Sequence, residues 1–249
     1  MKSRVFPRAM VIALAVFAAT APAASAQDPA PGLEEFSGCP APPAAVDHCT
    51  VSETTGSLQL GRVKLDIKKP IVLSGGVPGG SPAPFLFNDR GGMFSPRIPI
   101  RGIPIVGTVY AVPQLAGTVM VALPFGEQMP LKVKLEHPLL GRRCYIGSDS
   151  DPIALDLTTG TTAPPPPNQP ITGRIPGFAA DPEDPRVFLV TDGVLVDNAF
   201  RAPGARGCGP HGVLNRVVER AAALPSAAGR NTAILAFGAR STTQAAVYP

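Results

Sequence analysis

The feature that most constrains this chain is a set of short runs in which apolar and polar residues alternate. In one run Val63, Leu65 and Ile67 fall on one face, and charged residues fall on the other. The same period of two recurs in 131–135 and in 153–157. This pattern is typical of antiparallel strands with one buried face and one wetted face. It predicts a mainly β fold, an antiparallel β-sandwich or barrel-like domain.

Proline and glycine punctuate these runs. The 249 residues include 31 prolines and 26 glycines, which remove sheet donors and favour turns. The combined fraction of proline and glycine approaches the level that is typical of disordered low-complexity sequences. The alternating runs between these residues nevertheless favour a folded domain. We interpret 113–117 and 124–130 as the loops of two hairpins, and Asp192-Gly193 as a tight hairpin turn.

One segment in the C-terminal part has a helical period and ends before Pro225. Its apolar stripe comprises Leu214, Val217, Val218, Ala221 and Leu224. We expect one amphipathic helix that packs over the end of the sheet. A helix that binds a membrane surface or a partner is the alternative, although its polar face is not strongly basic.

The first 26 residues have the features of a secretory signal. Three basic residues precede an apolar core that is too short to span a membrane comfortably, and an Ala-Ser-Ala sequence ends at Ala26. We therefore expect cleavage after Ala26 and secretion to the extracellular space. No second long apolar run follows, so we expect no transmembrane segment in the mature chain.

Removal of the signal changes the charge of the chain. It takes away three positive charges and no negative ones, so the net charge falls from +4 to about +1. The sequence pI near 9.0 points to nucleic acid or acidic lipid as a partner, but the mature charge supports neither. We interpret the basic pairs Lys68-Lys69 and Arg142-Arg143 as solvated surface, with an anionic-ligand patch as the alternative.

All four cysteines, Cys39, Cys49, Cys144 and Cys208, lie in the exported part. An even number in an oxidising compartment predicts two disulfides. Of the three pairings that four cysteines allow, we favour a short clip from Cys39 to Cys49 and a bond from Cys144 to Cys208. Metal ligation is disfavoured because the chain has no C-x-x-C and no paired Cys/His spacing.

The expected organisation is a signal peptide (1–26), an irregular N-terminal arm (27–57) and a β-rich domain (58–249). Within that domain the proline-rich run 163–170 is a stiff polyproline II connector. It either separates two subdomains or crosses one domain as a rigid loop.

No local catalytic signature is present. The sequence has no G-x-S-x-G, S-x-x-K or H-E-x-x-H motif, no phosphate loop and no dinucleotide fingerprint. His48, His137 and His211 are isolated in the sequence, so each can act as a general base only if the fold brings suitable partners beside it. We predict no catalytic and no cofactor-binding residues.

Two acidic clusters contain the oxygen ligands that calcium prefers. Asp149 and Asp151 lie in "GSDSDP", and Asp181, Glu183 and Asp184 lie in "DPEDP". Neither cluster matches an EF-hand or nonapeptide pattern, and such residues also bond backbone amides in turns. We favour turn chemistry and predict no metal site.

Two blocks, 144–173 and 207–235, resemble secreted proteins of actinobacterial type that carry no assigned function. The resemblance implies export and a high-GC genome, which 16 arginines against 6 lysines fit. The blocks contain Cys144 and Cys208, which fits a disulfide between them, and they bring no catalytic residue.

The sequence as a whole favours an exported, non-catalytic protein with a structural or binding role in the cell envelope or extracellular space. Two alternatives stay open. One is a secreted hydrolase whose His, Asp and Ser side chains converge in space, and the other is a calcium-dependent binding or adhesion module. The sequence disfavours a nucleic-acid partner and identifies no ligand.

Overall fold

The computed structural model describes residues 27–122 and 126–249, so the predicted signal peptide, 1–26, lies outside the described residues. Within them the protein is mainly β, with 46% strand against 10% helix. The strands form one large antiparallel sheet that curls into a half-barrel. The antiparallel, barrel-like fold expected from the alternating runs is confirmed.

Fourteen strands and two α-helices make up the described part of the chain. The strands are β1 (His48–Leu60), β2 (Val63–Val77), β3 (Ala83–Pro84), β4 (Gly92–Phe94), β5 (Ile98–Ile100), β6 (Val109–Leu115), β7 (Met120–Ala122), β8 (Gly126–Glu136), β9 (Tyr145–Ile146), β10 (Ile153–Thr158), β11 (Gly177–Ala180), β12 (Phe188–Asp197), β13 (Ala205–Arg206) and β14 (Thr232–Thr243). The helices are α1 (Asn215–Ala222) and α2 (Gln244–Val247), and short 3-10 helices span Glu34–Gly38, Pro138–Leu140 and Pro210–Gly212.

The main path of the sheet runs β13-β9-β8-β10-β12-β14-β1-β2-β4. Alongside it, β6 and β7 both pair with β8, β5 pairs with β6, β3 with β7, and β11 with β12. The alternating runs lie on β2, β8 and β10, and all nine Val, Leu and Ile side chains of the three runs are buried in the main core. Each buried Val, Leu or Ile stabilises the fold by about 1.5–3 kcal/mol, so these runs hold the curled sheet together.

Asp192-Gly193 does not form the expected hairpin. β12 runs straight through these residues, and both of its halves pair with β14. The register shifts between Val190 and Gly193, and Asp192 has a φ of 58°. The prediction was wrong because the positive φ that a hairpin turn requires also suits a β-bulge.

The two loops expected on either side of β7 also need correction. The segment 113–117 is no hairpin loop, because β6 and β7 lie end to end along β8 and do not pair with each other. The segment 124–130 is mostly strand, since β8 already begins at Gly126. Pro130 lies inside that strand, opposite Ala154 of β10.

The helix α1 occupies the predicted segment but is shorter than the predicted stripe. Val218 and Ala222 are fully buried at a spacing of i, i+4, whereas Val217 is 38% exposed. The helix ends where Ala223 adopts a left-handed conformation. The C-terminal helix α2 was not predicted, because four residues are too few to show a period. No helix in the described ranges is both long enough and apolar enough to cross a bilayer.

The proline-rich run 163–170 forms a loop on the sheet. Thr161 and Thr172 close it with an isolated bridge. Its Asn168 side chain donates hydrogen bonds to the carbonyls of Asn198 and Asn231. These bonds fix the loop against the segments that flank β12 and β14.

One end of the half-barrel, which we name the arm end, consists of residues 27–49, 181–187 and 240–249. The predicted disulfide Cys39–Cys49 is present there, and a separate hydrophobic cluster includes the fully buried Phe36. The arm is less irregular than expected, because it contains a 3-10 helix and because β1 begins at its residue 48.

The opposite end of β1 belongs to what we name the helix end, residues 60–62, 101–107, 137–143 and 206–222. Backbone hydrogen bonds of 2.8 Å join its segments, from Arg62 N–H to the Ala222 carbonyl and from Gly209 N–H to the Leu140 carbonyl. The second predicted disulfide, Cys144–Cys208, ties this end together.

Candidate binding cavity

A cavity of about 40 Å³ lies inside the curl of the sheet. Its walls come from β1, β2, β4, β6, β8, β10 and β14, and they consist mostly of Leu, Ile and Met side chains. Residues of the main core line it together with Leu73, which belongs to a smaller cluster formed by Leu73, Phe85 and Val119. Met93 and Met129 line the cavity and pack against both clusters. Methionine is the most adaptable apolar side chain, so these walls can repack around a guest.

Glu127 places a carboxyl group in this apolar wall. It is the second residue of β8, opposite Leu157 of β10 and Val121 of β7. The residue as a whole is half-buried, but its Oε1 atom is fully buried and has no hydrogen-bond partner in the described structure. Burial raises the pKa of Glu127 to about 7, because removal from water disfavours the charged form.

An unpartnered buried carboxyl oxygen requires an explanation. Such atoms are rare in folded proteins, because burying a polar group without a hydrogen bond costs free energy. The cavity has room for about three water molecules, and the β1 residues Ser52 and Thr54 also line it. The arrangement can therefore hold a small guest whose polar group meets Glu127 while its apolar part contacts the surrounding walls.

The lining of this cavity does not contain the parts of a nucleophilic site. Of the described residues around it, Glu127 alone is titratable. A hydrolase of the Ser-His-Asp kind needs a base beside its nucleophile and a third group that orients the base. The cavity therefore fits binding better than covalent catalysis.

The structure keeps the three histidines away from this cavity. His48 is exposed at the arm end and forms a T-shaped contact with the Phe188 ring, with 5.8 Å between the ring centroids. His137 caps a 3-10 helix, where its Nδ1 accepts a hydrogen bond from Leu139 N–H and its Nε2 lies 3.0 Å from the Val106 carbonyl. Because a carbonyl only accepts, Nε2 carries the proton, and both ring nitrogens are engaged with backbone.

The third histidine, His211, is exposed in the 3-10 helix at Pro210–Gly212. It lines a shallow groove with Arg142 and Arg143, and the described lining of that groove contains no carboxylate. A hydrolase requires His, Asp and Ser side chains that meet at one site. The groups described around His48, His137 and His211 do not supply these partners.

The first acidic cluster is neutralised by cations. Asp149 contacts Lys132, and Asp151 contacts Arg201. The Ser148 hydroxyl accepts a hydrogen bond from Asp151 N–H at 3.1 Å, which is the bonding of a turn. Each aspartate is therefore engaged separately with its own basic residue.

The second acidic cluster also binds arginine and backbone. Asp181 accepts a hydrogen bond from Glu183 N–H at 2.8 Å and contacts Arg240. The Arg186 guanidinium holds Asp184 and lowers the pKa of that carboxyl to about 2. Among the described residues no group of three or more His, Cys, Asp or Glu side chains is placed to hold a metal ion.

Glu127 was missed in the sequence, although a signal for it exists. The period of two that buries Leu131, Val133 and Leu135 continues backwards to Met129 and Glu127. The segment 124–130, which has a proline at each end, was interpreted as a hairpin loop, so Glu127 was not placed on a strand. Extending the alternation of β8 towards its N-terminal end places the Glu127 carboxylate on the buried face, and this feature would have identified the cavity.

No protein-family model, curated protein or solved structure matches the chain. Function is therefore inferred from the chemistry of the cavity and the surface.

Proposed function

We propose that the protein is a secreted, non-catalytic binding protein that holds a small, mainly apolar molecule inside its curled sheet. The observation that carries this proposal is the buried, unpartnered Oε1 atom of Glu127 in a wall of apolar side chains. An apolar pocket with a polar group and a perturbed pKa is the typical arrangement of a ligand site.

Secretion is supported by several features of the chain. Two disulfides are compatible with an extracellular protein, because such bonds persist in oxidising compartments. The basic, apolar and small-residue order of residues 1–26 is that of a signal peptide cleaved after Ala26. A place in the cell envelope or in the extracellular medium is consistent with both.

The chemistry of Glu127 defines the polar part of the ligand. Below its pKa the carboxyl group donates a hydrogen bond to a ligand oxygen, and above it the carboxylate accepts one from a hydroxyl or ammonium group. The remaining ligand surface must be apolar, because the other walls are mostly aliphatic. Short alkyl alcohols and alkyl amines are therefore the simplest probes.

Thermal unfolding with a series of matched probes tests this function. Alkyl alcohols, alkyl amines and alkanes of equal chain length differ only in the polar group. We expect the alcohols and amines to raise the Tm of the protein more than the alkanes do, since they satisfy Glu127. Glu127→Leu should remove this preference and retain binding of the alkanes.

Glu53→Leu is the matched control, because Glu53 is an exposed residue of β1 outside the cavity. It should keep the preference for the polar probes. If no probe raises the Tm of the unmodified protein at any chain length, the cavity holds only water and the proposed function is wrong.

A further inference from the structure

The helix end gathers arginines from distant parts of the sequence. Its seven arginines include Arg101, Arg142, Arg143, Arg216 and Arg220, and Glu219 is its only acidic residue. The five named arginines are exposed. None of them forms an ion pair with another residue in the described ranges, although nine ion pairs are formed elsewhere.

These arginines lie on one continuous surface. Arg216 and Arg220 of α1 line a groove with Pro104. The hydrogen bond between His137 and the Val106 carbonyl joins the loop 101–107 to the segment that carries Arg142 and Arg143. A further groove joins Arg101 to Lys68 and Lys69, and the one carboxylate in its described lining, Asp66, is paired with Lys64.

Exposed apolar side chains lie among the arginines. Among the described residues nine large apolar side chains are exposed, and four of these belong to the helix end: Val106 (94%), Leu139 (60%), Val213 (66%) and Val217 (38%). A single exposed apolar residue needs no explanation. Apolar tips that alternate with basic residues on one face are the pattern of a surface that inserts shallowly between lipid headgroups.

We propose that the helix end docks the protein on an anionic lipid surface, with the arginines contacting headgroup phosphates and the four apolar side chains entering the interface. Charge complementarity carries this assignment, because the five arginines form no ion pair in the described ranges and Glu219 is the only acidic residue of the helix end. A soluble polyanion would satisfy the arginines but would leave Val106, Leu139 and Val213 in water.

Co-sedimentation with vesicles tests the docking surface. The protein is purified after export, and its mass must show that residues 1–26 are gone, since an apolar leader would itself bind lipid. We expect binding to phosphatidylcholine vesicles that contain phosphatidylglycerol and little binding to pure phosphatidylcholine. Binding should weaken when the salt concentration rises from about 0.05 M to about 0.5 M, because screening shortens the reach of the charges.

Variants locate the surface. R142Q/R143Q should weaken binding to the anionic vesicles about 30-fold, given the contribution of each arginine near such a surface. The matched control R90Q/R174Q removes the same charge elsewhere, since Arg90 contacts Asp28 at the arm end and Arg174 contacts the Asp192 carbonyl. It should leave vesicle binding unchanged.

A second pair of variants tests the apolar part. V106S/V213S should weaken vesicle binding several-fold, whereas I175S, which changes a residue that is 63% exposed outside this surface, should not. Equal loss in R142Q/R143Q and R90Q/R174Q, equal binding to neutral vesicles, or binding to a soluble polyanion without vesicle binding would each overturn the proposal. The Glu127→Leu variant should bind vesicles as the unmodified protein does. The vesicle experiment therefore tests the docking surface independently of the cavity.

Discussion

The two ends of the half-barrel are each held by one disulfide, yet they use charge in opposite ways. The arm end contains seven acidic residues and two arginines, and the helix end contains seven arginines and one glutamate. At the arm end both arginines are paired, because Arg240 contacts Glu35 and Asp181 while Arg186 holds Asp184. Charge there joins the arm to the sheet, whereas the arginines of the helix end are left for water or a partner.

The core shows the same difference between the ends. The arm end has its own hydrophobic cluster, in which Leu33 and Phe36 are fully buried, and the Tyr248 hydroxyl donates to the Cys39 carbonyl at 2.8 Å. The helix end has no separate cluster among the described residues, and Val218 and Ala222 of α1 join the main core. Its outer surface therefore contributes less to folding than the arm does.

Removal of each disulfide has the largest expected effect and compares the ends directly. C144A/C208A opens a loop with a sequence separation of 64, and C39A/C49A one with a separation of 10. Loop-closure entropy predicts losses of about 4 kcal/mol and about 3 kcal/mol in the free energy of unfolding. Urea unfolding measures both. A larger loss from C39A/C49A would show that the arm end depends on its clip beyond the entropic effect.

Glu127 contrasts with the paired carboxyls of the arm end and predicts the next largest effect. Its folded pKa of about 7 lies above the ordinary 4.5, so the native state binds this proton more tightly than the unfolded chain does. The contribution to stability is complete below pH 4.5 and is lost as the pH rises through 7, a fall of about 3 kcal/mol.

Glu127→Gln should abolish this fall, because the amide does not titrate. Unfolding free energies of both proteins between pH 4 and pH 8 measure the difference. Asp184→Asn is the control from the arm end. Because the pKa of the Asp184 carboxyl is lowered, this group stabilises the fold at neutral pH, and the stabilisation is lost only in acid. If Glu127→Gln followed the pH profile of the unmodified protein, the carboxyl would be solvated and the cavity assignment would fail.

The sequence predicted the parts of this molecule that depend on local pattern. Alternation in β2, β8 and β10 determines which side chains are buried, and the cysteine positions favoured the two disulfides that the structure contains. The Asp192-Gly193 bulge was misread because the same backbone conformation serves a turn and a bulge. Local sequence does not distinguish the two.

The candidate sites depend on distant segments, which is why they escaped the sequence. Arg142-Arg143 was interpreted as a solvated pair, because Arg101 and Arg216 lie far away along the chain and are gathered only by folding. Glu127 faces the cavity only because β1 and β2 curl over β8 to form the opposite wall. The alternation of apolar and polar residues therefore predicted the strands and their buried faces. The surfaces that distinguish the two ends form only when the sheet curls, so the local sequence did not reveal them.

The smallest expected effect is a change in stability, and it tests whether the arginines of the two ends have different roles. R142Q/R143Q should change the free energy of unfolding by no more than about 0.5 kcal/mol, as is usual for surface substitutions without partners. R240Q should lower the Tm clearly, because it leaves the buried Asp181 and the Glu35 carboxylate without their shared cation. Thermal unfolding of both variants at equal ionic strength measures this contrast. If R142Q/R143Q were as destabilising as R240Q, the helix-end arginines would be part of the scaffold, and their exposure would no longer mark a docking surface.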